Sequence, residues 1–381
     1  MSSNENKKRV VSISRKPKKE EDNSVSIGIV GDVSFHNIDV PSIDFFTPLI
    51  SVMQNTDIVI ANIETVVSNR NLSPVKKQGI FLKSDPNFLK ILKKIGVDVA
   101  LLANNHIDDY GLDGIYDSIE ALTKEEILSF GVKGLEELSI NKKGISFRLR
   151  GVVTPYESDE FLTSYGKSLN SIEMVESCDA SHLIYFIHGF DELYSIPFPW
   201  RVKLLKQIRD KVLPAALISG HQHIYQGYSL GEIPICWSYG NGFISIDYHS
   251  KSNIDATISC YSVLHFDKKG CYQIDEYYYR FSQEGISILS EHELKEVLDR
   301  VRKGSECTKI YEQNECLWEE ECDENVNTHR FKQNIVINFL YDIYRFYRFR
   351  RQIKYIHYRY MFLGYLKRKW GINLYKLWKY Y

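Results

Sequence analysis

The chain has 381 residues, enough for one large core or two modest ones, and its 44% hydrophobic and 25% charged composition excludes disordered and fibrous classes. A formal net charge of −1 conceals an asymmetry, because residues 331–381 carry twelve lysines and arginines against the single acid Asp342, which leaves the remainder acidic. A basic tail on an acidic body suits an acidic partner that the body itself does not need.

Residues 1–24 are polar and charged without an apolar run, and are expected to be a disordered leader rather than a signal peptide or anchor. Short β-branched runs then recur at 25–30, 57–61, 97–102, 145–153, 183–187 and 215–219. Helical periodicity separates several of them, at 85–94, 114–122, from Val175 onward, and at 200–212. This alternation predicts an α/β domain whose first strands are parallel and buried. Segments 233–247, 257–266 and 272–281 alternate with short turns and predict antiparallel strands, the last two joined by Asp267-Lys268-Lys269-Gly270. A mixed sheet with helices outside fits a layered sandwich better than one doubly wound sheet. The expected organisation is a leader at 1–24, a domain at 25–285, a helical acidic connector at 286–330 that includes a helix at 291–303, and a basic aromatic segment at 331–381.

Seven cysteines, an odd number without CxxC pairs, fit a reducing compartment, and Cys307, Cys316 and Cys322 are spaced too loosely for a zinc knuckle. Eighteen consecutive apolar residues occur nowhere, so no spanning helix is expected. These readings together predict a cytoplasmic protein.

In α/β domains ligands bind where loops leave the carboxyl ends of strands. The successive apolar runs deliver Gly31-Asp32, Asn62-Ile63-Glu64, Asn104-Asn105-His106 with Asp109, His188-Gly189, and Gly220-His221-Gln222-His223. Each has an ordinary explanation alone: Asp32 as a helix cap, Glu64 as a solvated acid, His188 as a core histidine. Five consecutive strand ends bearing metal-competent side chains predict a metal centre.

This ordered set resembles the CapA-type proteins of poly-γ-glutamate and capsule biosynthesis, relatives of the calcineurin-like metallophosphoesterases. The resemblance runs from about Ile27 to about Asp247 and includes Asp109-Tyr110-Gly111, Glu192 after His188-Gly189, and Ser238-Tyr239-Gly240-Asn241-Gly242-Phe243. It implies a four-layer α/β/β/α sandwich and a centre of one or two divalent ions. By this resemblance Asp32 and His223 hold one ion, Asn105, His188 and His221 the other, and Glu64 bridges them in place of the usual aspartate. His106 is the implied general acid, with Asn62, Asn104, Asp109 and Asn241 in support. Two ions about 3.5–4 Å apart can activate a water and stabilise charge on a phosphoryl or acyl oxygen. Nitrogen and oxygen ligands without thiolate suit Mn, Fe or Zn. The first strand departs from the phosphoesterase pattern, with Ser34 where Asp-x-His has its histidine, unless His36 or water fills in.

The tail interleaves Arg and Lys with Tyr and Phe, as in FLYDIYRFYRFRRQIKYIHYRY. It reads as a helical extension that docks on the acidic body or on a capsule-machinery protein, or as an interfacial segment on an anionic membrane surface at the inner membrane face. Nucleic acid is the least favoured partner. The leading functional expectation is a hydrolase acting on a polymer or phosphorylated substrate. A non-catalytic accessory of a capsule polymerase or exporter is the alternative, and a cytoplasmic phosphoesterase unrelated to capsule a third.

Overall fold

A computed structural model describes residues 8–12, 24–76, 80–153, 181–189, 192–197, 199–244, 254–282 and 284–310. The chain divides into two compact units, residues 1–197 with 201–305, and residues 198–200 with 306–381. The helix expected from Val175, most of the connector and the whole of 331–381 lie outside the described residues.

Among the described residues the first unit contains two large sheets and a minor two-stranded one. In sheet one, strands β2 (Val25–Ser34), β3 (Ile58–Ile63), β6 (Val99–Leu101) and β7 (Leu128–Phe130) run parallel, as expected. β15 (Ile258–Asp267) and β16 (Gly270–Ser282) extend it antiparallel beyond β2, joined through Lys268 and Lys269, the predicted hairpin. β17 (Gly285–Ile288) pairs with β16. In sheet two, β9 (Ile145–Val153), β10 (His182–His188), β11 (Ala216–Gly220) and β13 (Ile235–Tyr239) are parallel. β8 (Glu137–Lys142) and β12 (Tyr225–Ser229) flank them antiparallel. Between β3 and β6 lies a minor two-stranded pair, β4 (Val66–Val67) with β5 (Lys83–Ser84).

Aromatic contacts bridge the sheets. Phe130 of β7 meets Phe186 of β10 at 5.6 Å, and Phe147 of β9 meets Phe266 of β15 at 5.4 Å, both edge to face. Helices α1 (Thr47–Gln54), α2 (Asn87–Ile95), α3 (Gly111–Lys124) and α4 (Pro199–Val212) complete the expected four-layer α/β/β/α sandwich. The spacing of Phe88, Leu89, Leu92 and Ile95 explains α2: all four are buried, each contributing about 1.5–3 kcal/mol at most. Helix α5 (Glu291–Ile310) follows β17 and is longer than the expected 291–303.

Two expectations need correction. The leader was expected to be disordered, yet Lys8–Ser12 form strand β1, antiparallel to β16. An edge strand leaves a row of unpaired N–H and C=O groups, and a run with the β-branched pair Val10-Val11 is suited to fill it. The stretch 233–247 was expected to be antiparallel. That holds for β13 against β12, but β13 also runs parallel to β11 in sheet two, and after Gly240 the chain enters sheet one as β14 (Asn241–Ile244), parallel to β2. Those few residues stitch the two sheets together at the end where the site lies.

Candidate metal centre

The carboxyl ends of β2, β3, β6, β10 and β11 converge, and strand register sets who meets whom. Asp32 pairs with Asn62 of β3 on one side and Asn241 of β14 on the other. A bulge between Ile29 and Asp32 turns Asp32 into the cluster. Gly31 has φ +90° there, and a Cβ would lie 2.6 Å from the Gly240 carbonyl oxygen, so no other residue fits.

Asn62 Nδ2 donates to Asp32 Oδ1 at 2.6 Å, and Asn104 Nδ2 donates to Asn62 Oδ1 and to the Ile63 carbonyl at 3.1 and 2.9 Å. Asn104 Oδ1 accepts the backbone N–H groups of His106 and Ile107, which fixes the turn carrying Asn105. Asn105 Oδ1 lies 2.8 Å from His188 Nε2. That same nitrogen is 3.3 Å from both Glu64 Oε1 and His221 Nδ1. His223 Nδ1 lies 3.0 Å from Asn241 Oδ1, 3.4 Å from Asp32 Oδ2 and 3.9 Å from Glu64 Oε2. All six expected ligands, Asp32, Glu64, Asn105, His188, His221 and His223, are buried and face one another.

Donor atoms of Glu64, His221 and His223 lie within 4.8 Å of one another, and so do those of Asp32, Glu64 and His188. Glu64 belongs to both groups, a position that suits a bridge. The groups pair Asp32 with His188 and His221 with His223, a different division from the one the resemblance implies, although Asp32 and His223 are also neighbours.

The electrostatics explain what such a cluster lacks. Both Glu64 oxygens and Asp32 Oδ2 are buried without a hydrogen-bond partner among the described residues. A buried carboxylate left this way costs several kcal/mol unless paired. Burial, and then the charge of Asp32, push the Glu64 carboxyl well above the usual carboxylate range. Burial, and then the imidazoles of His221 and His223, hold His188 well below the ordinary histidine value, as a neutral ligand must be. Burial also works against a proton on His223, but the Asp32 carboxylate beside it outweighs burial and raises its pKa. Carboxylate oxygens without donors, beside imidazole nitrogens 3.3 Å apart, fit a divalent cation. The oxygen and nitrogen donors suit Mn, Fe or Zn alike.

His106 stands at the rim with its side chain 16% exposed, its Nδ1 2.9 Å from Asp109 Oδ2. Asp109 is buried, and the same oxygen accepts the Leu82 N–H at 2.5 Å. Ser34 is buried, and His36 does not replace the missing imidazole. Its Nδ1 lies against the backbone of Lys83, and its Nε2 meets Asn37 Nδ2 at 2.9 Å. β5 claims that ring before the metal site can.

Three participants escape a strand-end reading. The Tyr239 hydroxyl lies 2.9 Å from His188 Nδ1, the ring nitrogen other than the one that meets Glu64 and Asn105. Gly220 makes room for it, since a Cβ there would fall inside the Tyr239 ring. Glu192 Oε1 lies 3.3 Å from His221 Nε2. Arg201 is buried in α4 and donates to Gln222, the residue between the two loop histidines. Tyr239 and Glu192 sit in motif segments, but only the fold shows which atoms they meet. His221 and His223 both have positive φ, +91° and +58°, a conformation that costs about 1–3 kcal/mol each and concentrates at functional sites.

No curated protein matches the chain. Among solved structures, a hypothetical protein from Thermus thermophilus is similar at 14% identity and TM-score 0.45, over 68% of this chain and 100% of that one. A novel phosphatase from Mycoplasma pneumoniae is similar at 12% identity and TM-score 0.46, over 69% and 96%. A putative 5'-nucleotidase from Staphylococcus aureus, in complex with alpha-ketoglutarate, is similar at 12% identity and TM-score 0.42, over 74% and 58%. None of these lends this chain a residue role or a substrate. The family model described as bacterial capsule synthesis protein PGA_cap matches residues 26–245, more than half of the chain and every strand end of the cluster, and the protein belongs to that family.

Proposed function

We propose that the protein is a metal-dependent hydrolase of bacterial capsule or extracellular-polymer biosynthesis. It hydrolyses or transfers a phosphoester or amide bond of a poly-γ-glutamate-like or polysaccharide substrate, from the cytoplasmic side. The observation that carries this reading is the buried group of Glu64 and Asp32 oxygens without donors, ringed by three histidines and Asn105. One or two divalent ions, Mn, Fe or Zn, held by Asp32, Glu64, Asn105, His188, His221 and His223 would supply Lewis acidity and a water of lowered pKa.

The chain's own groups do the rest. Asn62 and Asn104 hold Asp32 and the Asn105 turn in place. Asp109, already accepting from a backbone N–H, accepts the Nδ1–H of His106 and so orients the ring; with both ring nitrogens protonated, Nε2 gives its proton to the leaving group and His106 is left as the neutral Nδ1–H form. Ser34 in place of a histidine favours a second reading, an accessory protein of a capsule polymerase or exporter with a structural ion. Metal content of the purified protein, with assays on generic phosphoester and γ-glutamyl substrates, tests both. Turnover that disappears on chelation and returns with metal supports the enzyme, metal without turnover supports the accessory, and no metal at all overturns both.

Segment 331–381 is proposed to meet a capsule-machinery protein, the acidic body, or an anionic membrane surface at the inner face. Salt-sensitive sedimentation of the full chain with anionic vesicles, compared with neutral ones, supports the membrane partner. Equal sedimentation with both removes it.

A further inference from the structure

We propose that Arg201 is a positioning residue that sets the affinity of the Gly220–His223 loop for metal, acting through the side chain of Gln222. The inference rests on the metal reading above. The Arg201 guanidinium is fully buried, and its Nη2 donates to Gln222 Oε1 at 2.6 Å, to Ser219 Oγ at 2.8 Å and to the Trp237 carbonyl. Its Nη1 donates to Gln226 Oε1 at 2.8 Å. Gln222 passes this constraint on, because its Nε2 donates to the Gly189 carbonyl at 2.8 Å and its own carbonyl accepts the Leu193 N–H at 2.9 Å. Gln226 makes a parallel link to the Tyr194 carbonyl at 2.8 Å.

One guanidinium thus ties the loop bearing His221 and His223 to the segment after His188, which carries Glu192 against His221 Nε2. The planar fork of arginine serves several acceptors at once, whereas a lysine offers one ammonium to a narrower set of directions. Gln222 sits between two histidines that both hold positive φ. Releasing its amide frees the loop to relax, and the two rings then leave the cluster. Asp32, Glu64, Asn105 and His188 are placed by strands and by the asparagine chain, so their geometry does not depend on Arg201. Loss of the guanidinium therefore weakens one part of the donor set and spares the other.

The test uses the full chain. Arg201→Lys, Gln222→Ala and the double variant are stripped with chelator and titrated with Co(II), read by absorbance of the bound ion, with circular dichroism and thermal melts of the metal-free forms alongside. Outer-shell partners of ligands change metal affinity by about 10–100-fold. Each single variant is expected to show a loss in that range with wild-type secondary structure, and the double variant no further loss, because both act through one path. Wild-type affinity in a folded Gln222→Ala overturns the inference. So does a double-variant loss equal to the product of the single losses. If Arg201→Lys does not fold, Gln222→Ala alone decides by its affinity. A wild-type protein that binds no Co(II) defeats the metal reading itself, an outcome distinct from either.

Discussion

Two glutamates in this molecule occupy opposite surroundings. Glu64, at the end of β3, is fully buried with both oxygens lacking a hydrogen-bond donor among the described residues, and its carboxyl is pushed far up. Glu293, in the first turn of α5, has a side chain 37% exposed and is surrounded by donors. Its Oε2 accepts from Ser290 Oγ at 2.7 Å and from the Ser290 N–H at 2.9 Å, while Arg280 approaches Oε1 at 2.8 Å. The Ser290 bonds and then Arg280 hold it down to about 2. The fold satisfies a carboxylate that faces water and leaves one unsatisfied where water is excluded. That difference is the physical signature of a place kept for a cation.

The largest effect is expected at the centre. Replacing His221 and His223 together by alanine should remove most bound metal while circular dichroism stays that of the native protein, because the loop contributes little to the core. Elemental analysis checks it, and unchanged metal content would falsify the centre. His106→Ala should come next. It keeps its metal but loses about 10²–10⁴-fold in rate, whereas Asp32→Ala and Asn105→Ala lose both metal and rate. If His106→Ala loses metal as severely as Asn105→Ala, its role as acid is wrong.

Glu64→Gln separates charge from packing. Because the folded-state pKa of Glu64 is raised, its contribution to the metal-free protein is favourable at low pH and is lost as pH rises through that value. Melts of chelator-treated protein should therefore show the variant gaining on wild type as pH increases, with metal affinity lost in exchange. A constant difference across pH contradicts the buried charge. The smallest effect belongs to Glu293→Gln. A depressed pKa contributes stability above the ordinary glutamate range, near 4.3, that is lost as pH falls toward about 2. The variant should melt slightly lower at neutral pH and converge with wild type in acid. The difference stays below about 1 kcal/mol because the site is exposed. A larger cost would mean that Glu293 packs as well as caps.

Much of the site was legible because local chemistry encodes it. Metal-competent residues sit directly after apolar runs, and a run that becomes a buried strand must end where its neighbours end. His36 was not legible. Its nearness to Ser34 in sequence offered it as a ligand, but the pairing of β4 with β5 brings Lys83 to its ring instead.

The amino-acid sequence by itself determined the parallel first strands, the residues at their carboxyl ends, the periodicity of α2 and the hairpin after β15. Each depends on interactions within a few residues or on a repeating apolar period. Only the tertiary structure decided that the chain changes sheets at Gly240, that Asn241 stands beside Asp32, that Tyr239 lies over Gly220 to reach His188, that Lys8–Ser12 close an edge, and that Arg201 anchors the histidine loop. Those arrangements join residues tens to hundreds of positions apart. They follow from strand register and packing across the whole sandwich, where each contact depends on all the others being made, and no local pattern records that sum.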